Sequence, residues 1–356
     1  MQLLRTHRET FSRHIELRSG CANFISLEAS MHRAVVKAFE SPPVITLETA
    51  ERPAPAEGEV VLRVTATALG FVDGLIVQGK YQLKPDLPYV PGGEIAGVVV
   101  DVGEGVRGIA TGSRVAVWQF GGGLAEYAVA KAEDVIPLPD GIDDSVAACA
   151  LVDYLTAHYA LFVRGCLRPG ETVLVLGAAG GVGQAAVQLA SSKSARVLAV
   201  VSSQDKAARV LELGATEAVE LKPDGPALRD QLRAMAVDGA IDVIVDPVGG
   251  ATTEAAFRSL DKGGRHLVVG FAPGTIPKLP TNLALLKSGS LVGVDVRHFV
   301  GAHKLEALAA TGALFEQFAN KSLQPVAYIE HSLDEAQQAF AMLGERSRLG
   351  KVLVKP

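Results

Sequence analysis

The stretch Thr172-Val-Leu-Val-Leu-Gly177-Ala-Ala-Gly180-Gly181-Val-Gly183, continuing as Gln184-Ala-Ala-Val-Gln-Leu-Ala190, constrains this chain more than any other. An apolar strand enters a glycine turn and leaves as a helix with small residues on its first turn. Glycine lets the backbone approach a pyrophosphate closely, and a helix N-terminus offers unpaired N–H donors and a partial positive charge. Against G-x-G-x-x-G, Gly180 and Gly183 fill the second and third positions, with Ala178 at the first. Alone, such a fingerprint is weak evidence. Within a strand–turn–helix unit of an alternating series it predicts a dinucleotide cradle formed by Ala179, Gly180, Gly181, Val182 and Gly183. A glycine turn required only by packing is the competing reading.

The alternation extends well beyond this motif. Apolar strands are expected at 171–177, 196–201, 241–246 and 265–270, and helices at 181–192, 206–213, 228–236 and 252–260. Continuous apolar strands separated by helices imply a doubly wound parallel sheet covered on both faces. Residues 31–138 have a different period. Segments 32–39, 59–69, 95–102 and 113–118 read as short strands between Gly- and Pro-containing turns, which predicts a small antiparallel barrel. A helix is expected over 144–163, and two late strands at 326–329 and 351–354 are placed to complete the barrel. The predicted organisation is therefore α/β, with a barrel over 31–150 and 300–356 interrupted by a nucleotide-binding domain over 151–299. Residues 1–30, with four arginines and three glutamates but no apolar core, form an N-terminal extension expected to be disordered.

Composition narrows the function classes. Thirty-four basic residues against 39 acidic ones give a net charge of −5, which argues against a nucleic-acid partner. No uncharged apolar run approaches the roughly 20 residues of a membrane span, so no membrane association is expected. The three cysteines, Cys21, Cys149 and Cys166, are too dispersed for a disulfide framework or a structural zinc site, which fits a reducing, cytoplasmic setting.

The end of the second parallel strand reads Val200-Val201-Ser202-Ser203-Gln204-Asp205-Lys206. A site preferring NAD places an acidic residue there to hold the ribose hydroxyls. Ser202, Ser203 and Lys206 instead offer charge-assisted bonds to a 2′-phosphate, with Arg209 one turn further on, so NADPH is the expected cofactor. Asp205 opposes this unless it begins the next helix, and the same residues also suit a solvated turn. Two later strand ends, Asp246-Pro247-Val248-Gly249-Gly250 and Gly270-Phe271-Ala272, are expected to face the nicotinamide half, with Val248, Gly270 and Phe271 as contacts. Both could equally be ordinary βα loops.

Five motifs occur in a set order: Asp73 with Gly79-Lys80-Tyr81; Val90-Pro91-Gly92-Gly93-Glu94 with Gly97; Pro169-Gly170-Glu171; the glycine fingerprint; and Leu349-Gly350-Lys351. With them the chain from Met31 onward resembles the medium-chain dehydrogenase/reductase superfamily, in its zinc-free quinone oxidoreductase (zeta-crystallin-like) branch. That resemblance implies a GroES-like catalytic barrel around a Rossmann domain, a homodimer, and NADPH-dependent reduction of a quinone or a polarised C=C bond. It also implies roles for Tyr81 and Asp73 in catalysis and for Thr156 near the nicotinamide ribose. Tyr81 could instead only shape the pocket, Asp73 could cap a turn, and Thr156 could bond its own helix. No metal is expected, because Gly93 stands where the zinc enzymes of the superfamily carry histidine and Cys149 lacks partner ligands. Gly70 replaces a family asparagine, which predicts a roomier, more apolar pocket. Reduction of a 2-enoyl thioester on CoA or acyl carrier protein is the alternative reaction. NADPH binding without turnover is the alternative of another class.

Overall fold

The computed structural model describes residues 30–221, 228–235, 241–272, 274–345 and 348–356. The extension expected over 1–30 lies outside these residues except for Ser30, which opens the first strand.

One sheet is built around β3 (Glu59–Leu69), whose near-continuous Val, Leu and Ala side chains are buried. On one side it pairs along its length with β4 (Glu94–Val102). On the other it pairs first with β6 (Tyr127–Lys131) and then, from Thr67 on, with β15 (Lys351–Lys355). Irregularities between Val61 and Leu62 and between Val64 and Ala66 bend β3 so that one strand serves both partners. β5 (Arg114–Trp118), β7 (Ile136–Pro137) and β14 (Tyr328–Ser332) complete the order β14-β15-β3-β4-β5-β7.

Two expectations for this sheet need correction. β14 runs parallel to β15, reached by a crossover through helix Ala336–Met342, so the barrel is not wholly antiparallel. The segment expected over 32–39 ends as β1 (Ser30–Val35). It forms a separate ribbon with β2 (Thr46–Glu51), fastened to the barrel by single bridges Arg33–Ala125 and Val36–Tyr89.

The second sheet has β8 (Thr172–Val175), β9 (Arg196–Val201), β10 (Glu217–Glu220), β11 (Val243–Asp246), β12 (Arg265–Val268) and β13 (Ser290–Gly293). Its order is β10-β9-β8-β11-β12-β13, with every pairing parallel. The chain runs outward from β8 to β10 and then returns to start the other half at β11. The strand order therefore reverses between β8 and β11, which opens a crevice at their carboxyl ends. The two edges differ. β10 carries Glu217 and Glu220, whereas β13 exposes Leu291 close in sequence to the solvent-facing Leu285 and Leu286 of helix Asn282–Lys287.

Helix α2 (Asp144–His158), continued by a π turn over Tyr159–Arg164, joins the two sheets. The Asp143 carboxylate caps it by accepting the Ser145 N–H at 2.8 Å. Its small buried residues, Ala147, Ala148, Cys149, Ala150 and Ala157, let it press closely against both sheets, and one apolar core runs from Ala66 and Ala96 through α2 to Val173 and Val175. The run Asp144–Arg164 passes for a membrane span by length and mean apolarity, but Asp153 breaks it into uncharged stretches far shorter than a span, and its most apolar window is 67% buried inside the protein, as a core helix would be.

Candidate active site

The glycine turn sits at the β8 side of the crevice, and two of its glycines have separate structural reasons. Gly177 has φ +58°, and a Cβ there would meet Val248 Cγ2 at 2.7 Å. Gly183 lies so close to the turn that a Cβ would collide with the Gly177 carbonyl oxygen. Helix α3 (Gly181–Ser192) thus begins directly against the strand end, with Gly180 as a cap that has no side chain to fill its N-terminus. The first-turn amides of Gly181, Val182 and Gly183 have no intrahelical acceptor, leaving a cradle with donors but no bulk.

At the end of β9, Ser203 is occupied as the cap of α4 (Gln204–Glu212), accepting the Lys206 N–H at 3.4 Å. Asp205 lies in the first turn of that helix. The Lys206 ammonium donates to Ser202 Oγ at 3.2 Å. Burial lowers its pKa, and the nearby Arg348 guanidinium lowers it further. Arg348 is itself held down by burial. Arg348 donates from Nη1 to the Gly350 carbonyl at 3.0 Å and lies within electrostatic range of the Lys206 ammonium. Arg209 is engaged elsewhere, with Glu212 and the Pro325 carbonyl.

Three loops interlock beside the cradle. Val248 seats on Gly177, and a Cβ on Gly249 would meet the Phe271 ring at 2.7 Å. Gly270 and Ala272 donate their N–H groups to the Asp246 and Pro247 carbonyls, each at 3.3 Å. Val248, Gly270 and Phe271 therefore meet in one cluster with the glycine turn.

On the barrel side, Lys351 Nζ lies 2.7 Å from Glu94 Oε1 and 2.8 Å from Asp153 Oδ2, with all three side chains largely buried. Asp153 comes from α2 and touches the start of α3; a Cβ on Gly181 would collide with its Oδ2. Thr156, 5% exposed, follows one turn later on the same helix face. One ammonium between two carboxylates leaves a surplus negative charge. Burial pushes the Glu94 carboxyl up to about 8, against the pull of Lys351 and with the help of Asp153. Burial disfavours the Lys351 ammonium, but the two carboxylates hold its pKa above the ordinary lysine value.

A carboxyl whose pKa rises on folding contributes stability fully present below its unfolded pKa and lost as pH climbs through its folded one. The melting temperature is therefore expected to fall between about pH 4.5 and about pH 8. Glu94→Gln is expected to flatten the curve across that window, measured by thermal unfolding at a series of pH values. An unchanged slope in the variant would place the titration elsewhere.

Asp73 is buried and accepts the Gly70 N–H at 2.8 Å, which closes the turn into helix Phe71–Val77. This is the capping arrangement open to it from the sequence. Gly70 faces charged groups rather than apolar ones. A Cβ there would lie 3.3 Å from Glu94 Oε1 and 3.7 Å from Lys351 Nζ, so the carboxylate–lysine network lies next to the missing side chain. Tyr81 packs against the barrel-side cluster that includes Ile76, Val77 and Tyr89, and the Arg297 guanidinium, from the first turn of helix Val296–Ala302, lies 5.6 Å from its ring centroid. Arg297 is clamped by Asp295 at 3.0 and 2.8 Å.

The donor set does not fit a catalytic zinc. Gly93 has no ligating group, and a Cβ there would collide with the Gln119 carbonyl oxygen, so an imidazole would not fit. Cys149 is wholly buried and burial raises its thiol pKa, which disfavours the thiolate a metal needs. Among the described residues no three His, Cys, Asp or Glu side chains are grouped to hold an ion.

A bent barrel and a reversing parallel sheet, with a glycine cradle in the crevice between them, define a medium-chain oxidoreductase. The alcohol dehydrogenase GroES-like domain matches residues 56–140, and the zinc-binding dehydrogenase domain matches residues 181–312. Quinone oxidoreductase-like protein 2 of Bos taurus is 32% identical over 91% of this chain and 92% of its own, and quinone oxidoreductase of Rattus norvegicus 32% over 89% and 95%. A quinone oxidoreductase of Thermus thermophilus, whose complex with NADPH has also been solved, superimposes with a TM-score of 0.77 at 33% identity, covering 91% of this chain and 100% of that one. The chain belongs to the quinone oxidoreductase branch of the medium-chain dehydrogenase/reductase superfamily.

Several site residues were not legible as such in the sequence. Arg348 joins Lys206 only because the late strand β15 returns to the barrel, and nothing local marks it. Asp153 sits in an apolar helix, where a lone acidic residue was the available signal. Glu94 and Lys351 stood in ordered motifs without an assigned role, Asp246 opened a strand-end motif without a role of its own, and Arg297 carried no pattern.

Proposed function

We propose that this chain is an NADPH-dependent reductase that delivers hydride to a quinone or an α,β-unsaturated carbonyl without a metal. The observation that carries the reading is a glycine cradle at the carboxyl end of β8 with Lys206 bonded to Ser202 at the end of β9, and the reading draws further support from Tyr81 with the Arg297 guanidinium over its ring. The cradle amides and Ala179 hold the diphosphate, Ser202, Lys206 and Arg348 the 2′-phosphate, and Thr156 lies toward the nicotinamide ribose. Val248, Gly270 and Phe271 shape the nicotinamide half. Held by these residues, NADPH would supply hydride for the electrophilic carbon of the acceptor. The Tyr81 hydroxyl donates a hydrogen bond to the acceptor oxygen that gains the electron pair, and Arg297 adds positive charge behind it. Asp73 acts by holding the turn that leads to Tyr81. Exposed Phe71, Val72, Leu83 and Leu87, in or near the Tyr81 segment, suit an apolar acceptor.

Tyr81→Phe is expected to lower kcat about 100-fold with a small change in KM, since positioned proton donors contribute on that scale. Steady-state assays check it, and an unchanged kcat would leave Tyr81 as pocket wall. The function itself is tested by NADPH oxidation with 1,4-benzoquinone, an enone and crotonyl-CoA, each after EDTA treatment. Turnover only with crotonyl-CoA would favour the enoyl thioester reading. Tight NADPH binding with no oxidation would make the chain a binding protein, and loss of activity to EDTA would overturn the metal-free chemistry.

The two domains are assigned as a GroES-like catalytic domain over 31–150 with 300–356 and an NADPH-binding domain over 151–299. The chain is also read as a cytoplasmic homodimer, joined through the exposed edge of β13 and the apolar Ile276, Leu285, Leu286 and Leu291 around it.

A further inference from the structure

The carboxylate of Asp246, at the carboxyl end of β11, is 1% exposed and receives four hydrogen bonds. Oδ1 accepts the Val248 and Gly249 N–H groups at 3.0 and 2.7 Å. Oδ2 accepts the Thr253 hydroxyl at 2.7 Å and faces His266 Nε2 at 3.0 Å. Burial alone would push this carboxyl up, but the bonds from His266, Gly249 and Thr253 hold it below the ordinary carboxylate range. The carboxylate is thus ionised, and His266 meets it as the Nε2–H tautomer. His266 is fully buried on β12, lies against the Phe257 ring, and leaves Nδ1 without a partner. A buried imidazole with one unused nitrogen has a cost, so its presence needs a return elsewhere. The return is in the loop. Pro247, Val248, Gly249 and Gly250 turn with φ +72° and +63° at the two glycines, and Val248 and Gly249 are the residues that lock onto Gly177 and Phe271.

We infer that Asp246, His266 and Thr253 form a positioning network that fixes the 247–250 loop in its cofactor-receiving shape before the cofactor arrives. This rests on the proposed NADPH site and adds to it three buried residues behind the loop. An uncharged leucine at 266 fills similar space but offers no donor, whereas glutamine can place an N–H near the position of Nε2. His266→Leu is expected to raise the KM and Kd for NADPH about tenfold with kcat within twofold of wild type, and His266→Gln to return both constants to within threefold. Thr253→Val, which removes one donor at constant shape, is expected to raise them about threefold and serves if the leucine variant fails to fold. Steady-state kinetics and quenching of intrinsic fluorescence by NADPH supply the two readouts, with thermal unfolding run alongside. Equal constants for the leucine and glutamine variants, a fall in kcat alone, or a folded Thr253→Val enzyme with wild-type constants would overturn the inference. Failure of the wild-type chain to bind NADPH would instead overturn the cofactor site, and the network's role with it.

Discussion

Replacing Lys351 by methionine is expected to lower the unfolding free energy by about 3–5 kcal/mol, the scale on which removing one partner of a buried ion pair acts. The side chain is 6% exposed, and its loss strands Glu94 and Asp153 facing each other across the junction of barrel, α2 and α3. Urea unfolding measures the effect as a lower midpoint at unchanged slope. Adding Glu94→Gln and Asp153→Asn to the same protein is expected to recover much of the loss, because an uncharged cluster no longer needs its counter-ion. A methionine variant as stable as wild type would show that water reaches the triad.

The second large effect concerns cofactor choice. Lys206→Ala and Arg348→Ala are each expected to raise the KM for NADPH about tenfold while leaving that for NADH nearly unchanged. The double variant is expected to reach about 100-fold. Charge-assisted bonds to a phosphate are worth about 1.5–3 kcal/mol each, and the lower end applies where, as at Lys206, the group is partly exposed. The ratio of KM values for the two cofactors is the readout. Equal changes for NADPH and NADH would mean that the two cations support the fold rather than the phosphate.

Much of the nucleotide half was legible because its signals are local. β9 and α3 have the bounds expected for them, and both rest on continuous apolar runs or glycine chemistry confined to a few residues. β3 was equally plain. The ribbon strand β2 was not, because Thr46–Glu51 exposes most of its side chains and shows no apolar alternation. β10 was missed for a related reason: Glu217–Glu220 is an edge strand of four half-buried residues. The helix Phe71–Val77 begins at Gly70, whose N–H the Asp73 carboxylate accepts from the first turn, a signal too short to distinguish from a turn.

The site divides along the same line. The cradle was readable because its glycines are consecutive, whereas the cation pair, the Lys351 triad and the Asp246 network join residues from distant segments. Arg348 meets Lys206 through the return of the chain to the barrel, and His266 meets Asp246 through the parallel pairing of β12 with β11. Pairings of that kind are set by topology, which periodicity does not report. The space beside Gly70 makes the same point. Its loss of a side chain reads as a roomier pocket until Glu94 and Lys351 are found beside it.

The unlike edges of the parallel sheet bear on how the molecule behaves when crowded. Both ends of an open sheet present unpaired N–H and C=O groups, so a chain with two adhesive edges would grow head to tail without limit. Here the β10 edge carries Glu217 and Glu220, and a second copy approaching it brings like charge against like. The β13 edge instead exposes Leu291 beside the solvent-facing Leu285 and Leu286. In the homodimer proposed above, two copies meeting there would cover each other's apolar edge and leave the acidic edges outward, so growth would stop at two.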